Sequence, residues 1–345
     1  MDKKNKYKVT VSCMTYNQAK YITEAMNGFT MQQTSFPFVC TIVDDASTDG
    51  EQEVIRKYVE DNFDFSEGSV AYQKETDYAH ITYAQHKTNK NCYFAVLYLK
   101  ENHYSKHKDK SPYLKDWRDG VEYMAICEGD DYWIVPDKLE KQVRFLDENE
   151  DYVMVHTDFD LVDGIRNHYK ENYSDGQYLP SALTKGFDIG TLTTLFRQNV
   201  YNRLPQYYKS KQWLMGDYPL WLELAHEGKI KYIKEITSKY RVLKFSASHS
   251  KDFQQQLRFI ENSYEIKYFY AEKYNVAIMP KEKDSSYYLS IMKNICICDE
   301  KDKSTAYLYR SIKNKAFSIK IFIIYLCVQL PCLKKLLNII GNIKI

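Results

Sequence analysis

The 345-residue chain is poor in glycine (12) and proline (8) and carries no internal repeat or low-complexity stretch, which excludes a repeat array or a linker-strung disordered protein. Its charges nearly cancel. Lys and Arg number 48 against 46 Asp and Glu, a net +2, which excludes a protein whose main business is holding nucleic acid through bulk positive charge. None of the eight cysteines forms a Cys-x-x-Cys pair or meets histidines at zinc spacing. Several fall inside apolar runs, where a free thiol packs as a small hydrophobe, the pattern of a reducing compartment. No apolar stretch reaches the ~20 residues of a spanning helix. The N-terminus, MDKKNKYKVTVSCM, lacks the long apolar segment of a signal peptide, so the expected location is cytoplasmic.

What is present is globular: 44% hydrophobic and 27% charged residues, enough for a sizeable core in one large domain or two ordinary ones. Tyrosine is abundant, 32 residues, which suits stacking surfaces and equally reflects an AT-biased genome. Residues 9–14 form a β-prone run stopped by Thr15-Tyr16-Asn17, after which Ala19, Ile22, Ala25, Met26 and Phe29 recur at helical spacing. Residues 38–43 form a second apolar run ending in Asp44-Asp45. Thr48-x-x-Glu51 then reads as a capping box opening another helix. The β, α, β, α order predicts a parallel sheet covered on both faces, with ligands beyond the carboxyl ends of its strands.

Residues 62–118 read as an insertion with a helix near 93–102. Residues 121–127 form the next strand, followed by Glu128-Gly129-Asp130-Asp131-Tyr132-Trp133 and a helix starting at Pro136. A strand near 152–156 follows, and from about 252 the pattern is helical, with Leu257, Ile260, Tyr264, Tyr268 and Ala271 as one stripe.

Asp44-Asp45, Glu128/Asp130/Asp131 and Asp217 each follow or flank an apolar run. Crowded carboxylates repel unless a divalent cation neutralises them, and all-oxygen ligands select Mg²⁺ or Mn²⁺. Such ions are commonly completed by substrate phosphates, which points to a nucleotide or other diphosphate. Taken singly, each acidic pair also reads as a turn or helix cap.

The series 43–50 (VDDASTDG), 126–133 (ICEGDDYW) and 136–139 (PDKL), following the run ending at Asn17, resembles the family-two inverting nucleotide-sugar glycosyltransferases. The resemblance covers residues 7–160 well and thins towards 250. It implies a GT-A fold, a Rossmann-like α/β arrangement with a mostly parallel central sheet and helices on both faces, over residues 1–250. A helical region at 251–345 follows. It implies donor-binding residues at Thr15, Tyr16, Asn17, Asp44, Asp45 and Asp130, with Tyr16 against the nucleobase and Asp45, or Asp44 if the register slips, hydrogen-bonded to it. Asp130 and Asp131 would hold Mn²⁺ or Mg²⁺, with Glu128 and His249 as further candidates. Asp217 would be the base that deprotonates the acceptor, an Asp at that place also being a common N-cap. The implied partners are a nucleotide-sugar, by family habit a UDP-sugar, and a glycan or lipid-linked acceptor of surface-polysaccharide synthesis. An idle nucleotide-sugar- or glycan-binding module of an assembly complex is the rival reading.

Residues 321–333 are uncharged and mostly apolar between flanking lysines. They fit a helix lying in a membrane interface at about 316–340 and equally a terminal helix packed on its own domain.

Overall fold

The computed structural model describes residues 6–162, 189–204, 213–243 and 252–330, with positions 179, 183, 211 and 333. In chain order the elements are β1 (Val9–Thr15), α1 (Ile22–Thr30), β2 (Phe38–Asp44), α2 (Glu51–Asn62), β3 (Phe63–Asp64), β4 (Tyr72–Glu75), β5 (Ala79–His86) and β6 (Cys92–Leu99). Next come β7 (Tyr123–Ile126), β8 (Tyr132–Trp133), α3 (Lys138–Glu148), β9 (Tyr152–Leu161), β10 (Thr194–Arg197), α4 (Gln198–Arg203), α5 (Asp217–Glu227) and β11 (Lys229–Tyr240). The chain ends in α6 (Phe253–Lys273), α7 (Ser285–Ile297), α8 (Lys301–Lys313) and α9 (Ile319–Gln329).

Two compact units result. The first is Met1–Tyr178, Asp188–Leu204 and Glu223–Arg241, and the second Leu179–Phe187, Pro205–Leu222 and Val242–Ile345. The first holds an 11-stranded sheet in the order β3-β5-β6-β2-β1-β7-β10-β9-β11-β8, with β4 pairing β5 off this path. Its centre, β6-β2-β1-β7, is parallel. β10 runs antiparallel between β7 and β9, and β3, β4 and β5 add an antiparallel margin. The expected parallel sheet is therefore its centre, and the whole is mixed.

Alternate residues of β2 face two separate cores. Phe38, Cys40 and Ile42 join Ile22, Met26, Phe29 and Ile55 on one side. Val39 and Val43 join Ile81, Leu97 and Trp117 on the other. Burial on both faces is why these central strands are continuous apolar runs rather than alternating ones.

Two sequence expectations are corrected. Residues 92–99 are a strand, not a helix: CYFAVLYL is a short apolar run that periodicity cannot assign, and its aromatic and β-branched content suits a strand paired to β2 and β5. The stretch read as an insertion thus supplies β3 to β6. The Thr48 capping box does not form either. Gly50 is the N-cap of α2, at φ 90°, a left-handed conformation that favours glycine, and Glu51 turns its carboxylate away towards β1.

In the second unit α6, α7 and α9 share a core of Phe253, Ile260, Ile291, Ile295, Ile321 and Ile324. The stripe expected on α6 holds at Ile260, Tyr264 and Ala271, which are buried. Among the described residues no helix is long and apolar enough to cross a membrane.

Candidate functional site

The carboxyl ends of β1, β2 and β7 carry three loops to one rim of the first unit. Thr15 is in register with Asp44 and Ser12 with Ile126. Asp45 N–H donates to the Thr15 carbonyl at 3.0 Å, and Gly129 N–H to the Met14 carbonyl at 3.2 Å. A Cβ on Gly129 would lie 2.3 Å from Thr15 Oγ1, so only glycine lets the acidic loop lie this close to β1.

Glu51 ties the loops from below. Thr15 Oγ1 donates to its Oε1, and Gln18 N–H (2.9 Å) and Ser47 Oγ (2.8 Å) donate to Oε2. Asn17, in the left-handed region at φ 54°, receives Thr48 N–H on Oδ1 at 2.8 Å. Thr15 and Asn17 are thus engaged in holding loop to loop. Tyr16 between them is 46% exposed and presents an aromatic ring to solvent.

The two neighbouring acids at the end of β2 differ sharply. Both Asp45 oxygens are used: Oδ1 accepts His103 N–H at 2.7 Å, and Oδ2 accepts Tyr104 N–H at 3.0 Å and Lys110 Nζ at 2.8 Å. Burial alone would raise its pKa, but Lys110 and the two amides outweigh it and hold the carboxyl below its usual value. Asp44 is fully buried, and its Oδ1 accepts Ser47 N–H and Gln52 Nε2. Its Oδ2 has no hydrogen-bond partner, and neither does the buried hydroxyl of Tyr98, its register neighbour on β6. Of the two, Asp44 keeps the spare acceptor.

The third loop is the most charged. Burial, then the neighbouring Asp130 and Glu128 charges, push the Asp131 pKa up to about 9. Asp130 is raised as well, first by burial. Arg241 braces this loop with backbone and side chain: its N–H donates to Asp131 Oδ1 at 2.7 Å and its Nε to the Asp130 carbonyl at 3.0 Å. Its guanidinium pairs with Glu24 at 2.5 Å and lies 4.2 Å from the Tyr21 ring centre. Thr191 Oγ1 donates to Glu128 Oε2 at 2.9 Å. Arg241 and Lys110 went unnoticed in the sequence, because each joins the rim from a distant segment whose local pattern is ordinary, and Glu51 was read only as half of a capping box.

Among the described residues no three of His, Cys, Asp and Glu converge closely enough to hold a metal ion by themselves. The donor set still suits one. It is all oxygen, and a Mg²⁺-type ion needs only one or two carboxylates when phosphates complete its shell. The like-charge load on Asp131 is what such an ion would relieve.

Asp217 opens α5, as expected, and its Oδ1 accepts Tyr218 N–H at 2.8 Å. Its surface is open to solvent, while the protein mass around it raises its pKa by desolvation. His249 lies outside the described residues. Trp133 and Trp221 are buried, and Trp213 packs against Phe269, so the tryptophans serve packing.

Residues 10–90, which span β1 to the loop before β6, match the sequence profile of Glycosyl transferase family 2. This segment of the chain resembles that family. A relative of this chain in sequence is an uncharacterized protein of Mycobacterium tuberculosis, 29% identical over 239 residues, 68% of this chain. The match spans only 58% of that protein's length, and the same holds for its Mycobacterium bovis counterpart. EpsE of Bacillus subtilis, provisionally named a glycosyltransferase, is 27% identical over 64% of this chain and 68% of its own. In fold, a mannosyltransferase from Pyrobaculum calidifontis, solved with GDP-Man and Mn²⁺, superposes with a TM-score of 0.51. It covers 99% of this chain and 84% of its own at 14% identity.

Proposed function

We propose that this chain is a metal-dependent inverting glycosyltransferase, moving a sugar from a nucleotide-sugar, a UDP-sugar first, to a glycan or lipid-linked glycan of surface-polysaccharide synthesis. The observation that carries the reading is the crowding of Glu128, Asp130 and Asp131, offset only in part by Arg241, at the carboxyl ends of the sheet's parallel strands. Perturbed acids of this kind mark functional sites more often than structural ones.

In this reading Asp131 and Asp130, with Glu128 beside them, would hold Mn²⁺ or Mg²⁺, whose charge offsets that developing on the leaving diphosphate. Tyr16 offers its exposed ring to the nucleobase. Asp45, or Asp44 if the register slips, would accept the base N–H: Asp45 in exchange for its bonds to Lys110 and two amides, Asp44 through an Oδ2 that is buried without a partner. Asp217 removes the proton from the acceptor hydroxyl as it attacks the anomeric carbon. Its raised pKa brings it nearer the operating pH, which improves a general base. A single displacement inverts the centre.

The test is donor hydrolysis and binding across UDP-, dTDP- and GDP-sugars with Mn²⁺, Mg²⁺ or EDTA, on wild type, Asp131→Ala and Asp217→Asn. Metal-dependent turnover of one donor, lost in both variants while Asp217→Asn still binds it, is the expected result. Binding without turnover, with extracts supplying acceptors, would instead favour the idle module. No binding of any nucleotide-sugar would end the proposal.

A further inference from the structure

The charge of this chain is unevenly placed. Residues 303–345 contain eight Lys and Arg and no Asp or Glu, against +2 for the whole chain, so residues 1–302 carry −6. The helical unit holding this segment also leaves large apolar side chains in water where the lysines are. At the elbow between α8 and α9, Ile312 is 54%, Phe317 46%, Ile319 64% and Phe322 37% exposed. Lys313, Lys315 and Lys320 are exposed among them.

The elbow is built rather than frayed. Ala316 N–H caps the Ser311 carbonyl at 2.8 Å, and Ser318 is the N-cap of α9. Lys315 takes a left-handed φ of 58°, a conformation that ordinarily falls to glycine. The inner side of α9 is spent on the unit's own core through Ile321, Ile324, Cys327 and Val328. The apolar face of α9 is therefore not what remains to be covered; the elbow before it is.

We propose that this elbow docks on an anionic lipid surface. Clustered lysines answer anionic headgroups, and apolar side chains among them gain only if they enter the acyl boundary. A second copy docking through the same elbow would bring the same positive charge and repel. A nucleic acid would satisfy the lysines but leave Phe317, Ile319 and Phe322 in water. The inference does not depend on sugar transfer, so it stands or falls separately from the proposed activity.

The test is flotation of the full-length chain with vesicles of 30% phosphatidylglycerol in phosphatidylcholine or of phosphatidylcholine alone, at 50 and 500 mM NaCl. Wild type is compared with Lys313→Gln/Lys315→Gln/Lys320→Gln and with Phe317→Ser/Ile319→Ser/Phe322→Ser. Wild type should float with anionic vesicles only and bind less at high salt. The lysine variant should lose on the order of fivefold per residue, about a hundredfold in all, and the apolar variant should also detach. Equal binding to neutral vesicles, or none to either, would overturn the proposal. So would an apolar variant that floats like wild type, and so would a duplex DNA that strips wild type from the vesicles while binding the apolar variant equally. Circular dichroism checks the fold of each variant; should one fail, the other variant and the wild-type salt series still decide.

Discussion

Replacing Asp131 by Asn should make the metal-free protein more stable while destroying its response to divalent cations. Asp131 is 3% exposed, and burial plus the Asp130 and Glu128 charges lift its pKa from 3.8 to about 9. A folded-state pKa above the unfolded one gives stability that is fully present below about pH 4 and is lost as pH rises through 9. Each pH unit within that window costs about 1.4 kcal/mol, so by pH 7 the loss is roughly 4 kcal/mol. Asn cannot ionise, keeps an oxygen for the Arg241 N–H, and turns an amide N–H towards the remaining carboxylates. Urea unfolding at pH 5, 6, 7 and 8 in EDTA should show wild type weakening with pH relative to Asp131→Asn, with the variant ahead by roughly 2–4 kcal/mol at pH 7. Millimolar Mn²⁺ should restore wild type and leave the variant unmoved. A variant no more stable than wild type at pH 7 in EDTA would refute the reasoning, for the acids would then not be loading one another.

Asp217→Asn should lower turnover by about 10²–10⁴-fold, the usual worth of a general base, with donor affinity by titration calorimetry changed less than about twofold; a matching loss of affinity would make Asp217 a donor contact instead. Lys138 is fully buried, bonded to Gln142 and 4.3 Å from the Trp133 ring centre, with its pKa pushed down to about 7 by burial. Its stability contribution is therefore present above about pH 10.5 and lost as pH falls through 7. The unfolding free energy of wild type minus Lys138→Met should rise by up to about 1.4 kcal/mol per unit between pH 7.5 and 9.5, and a flat difference would mean that Lys138 stays charged. Burial holds the Cys13, Cys40 and Cys127 thiols protonated, so native-state alkylation followed by mass spectrometry should find half-buried Cys298 modified before them. Equal rates would show that the sheet opens readily.

The strand ends that build the rim were legible because each apolar run stops abruptly at polar residues, as at Thr15, Asp44 and Glu128. Residues 92–99 were not, since eight consecutive apolar positions carry neither the helical nor the alternating period. The different bonding of Asp44 and Asp45 was out of reach for a different reason. Adjacent residues of a strand face opposite sides, and what waits on each side is set by segments far along the chain: Gln52 for one, the His103 and Tyr104 amides and Lys110 for the other. Arg241 was invisible because it serves Asp131 through its backbone, 110 residues away, and backbone hydrogen bonding leaves no mark on residue choice.

Charge compensation separates the acids of this rim into two kinds. Asp45 is given a lysine and two amides, its pKa falls, and the loop at 102–110 closes on it. Glu51 is buried and raised, yet receives three donors that stitch β1 to α2. Their bonding explains why they are there. Asp131 receives one amide, and Arg241 beside it spends its guanidinium on Glu24 and Tyr21, offsetting the neighbouring carboxylates only in part. A fold selected for stability alone would not keep an isosterically replaceable carboxylate at such a cost. The chain keeps it, holds it against β1 with a glycine that no other residue could replace, and leaves the compensating charge to come from outside.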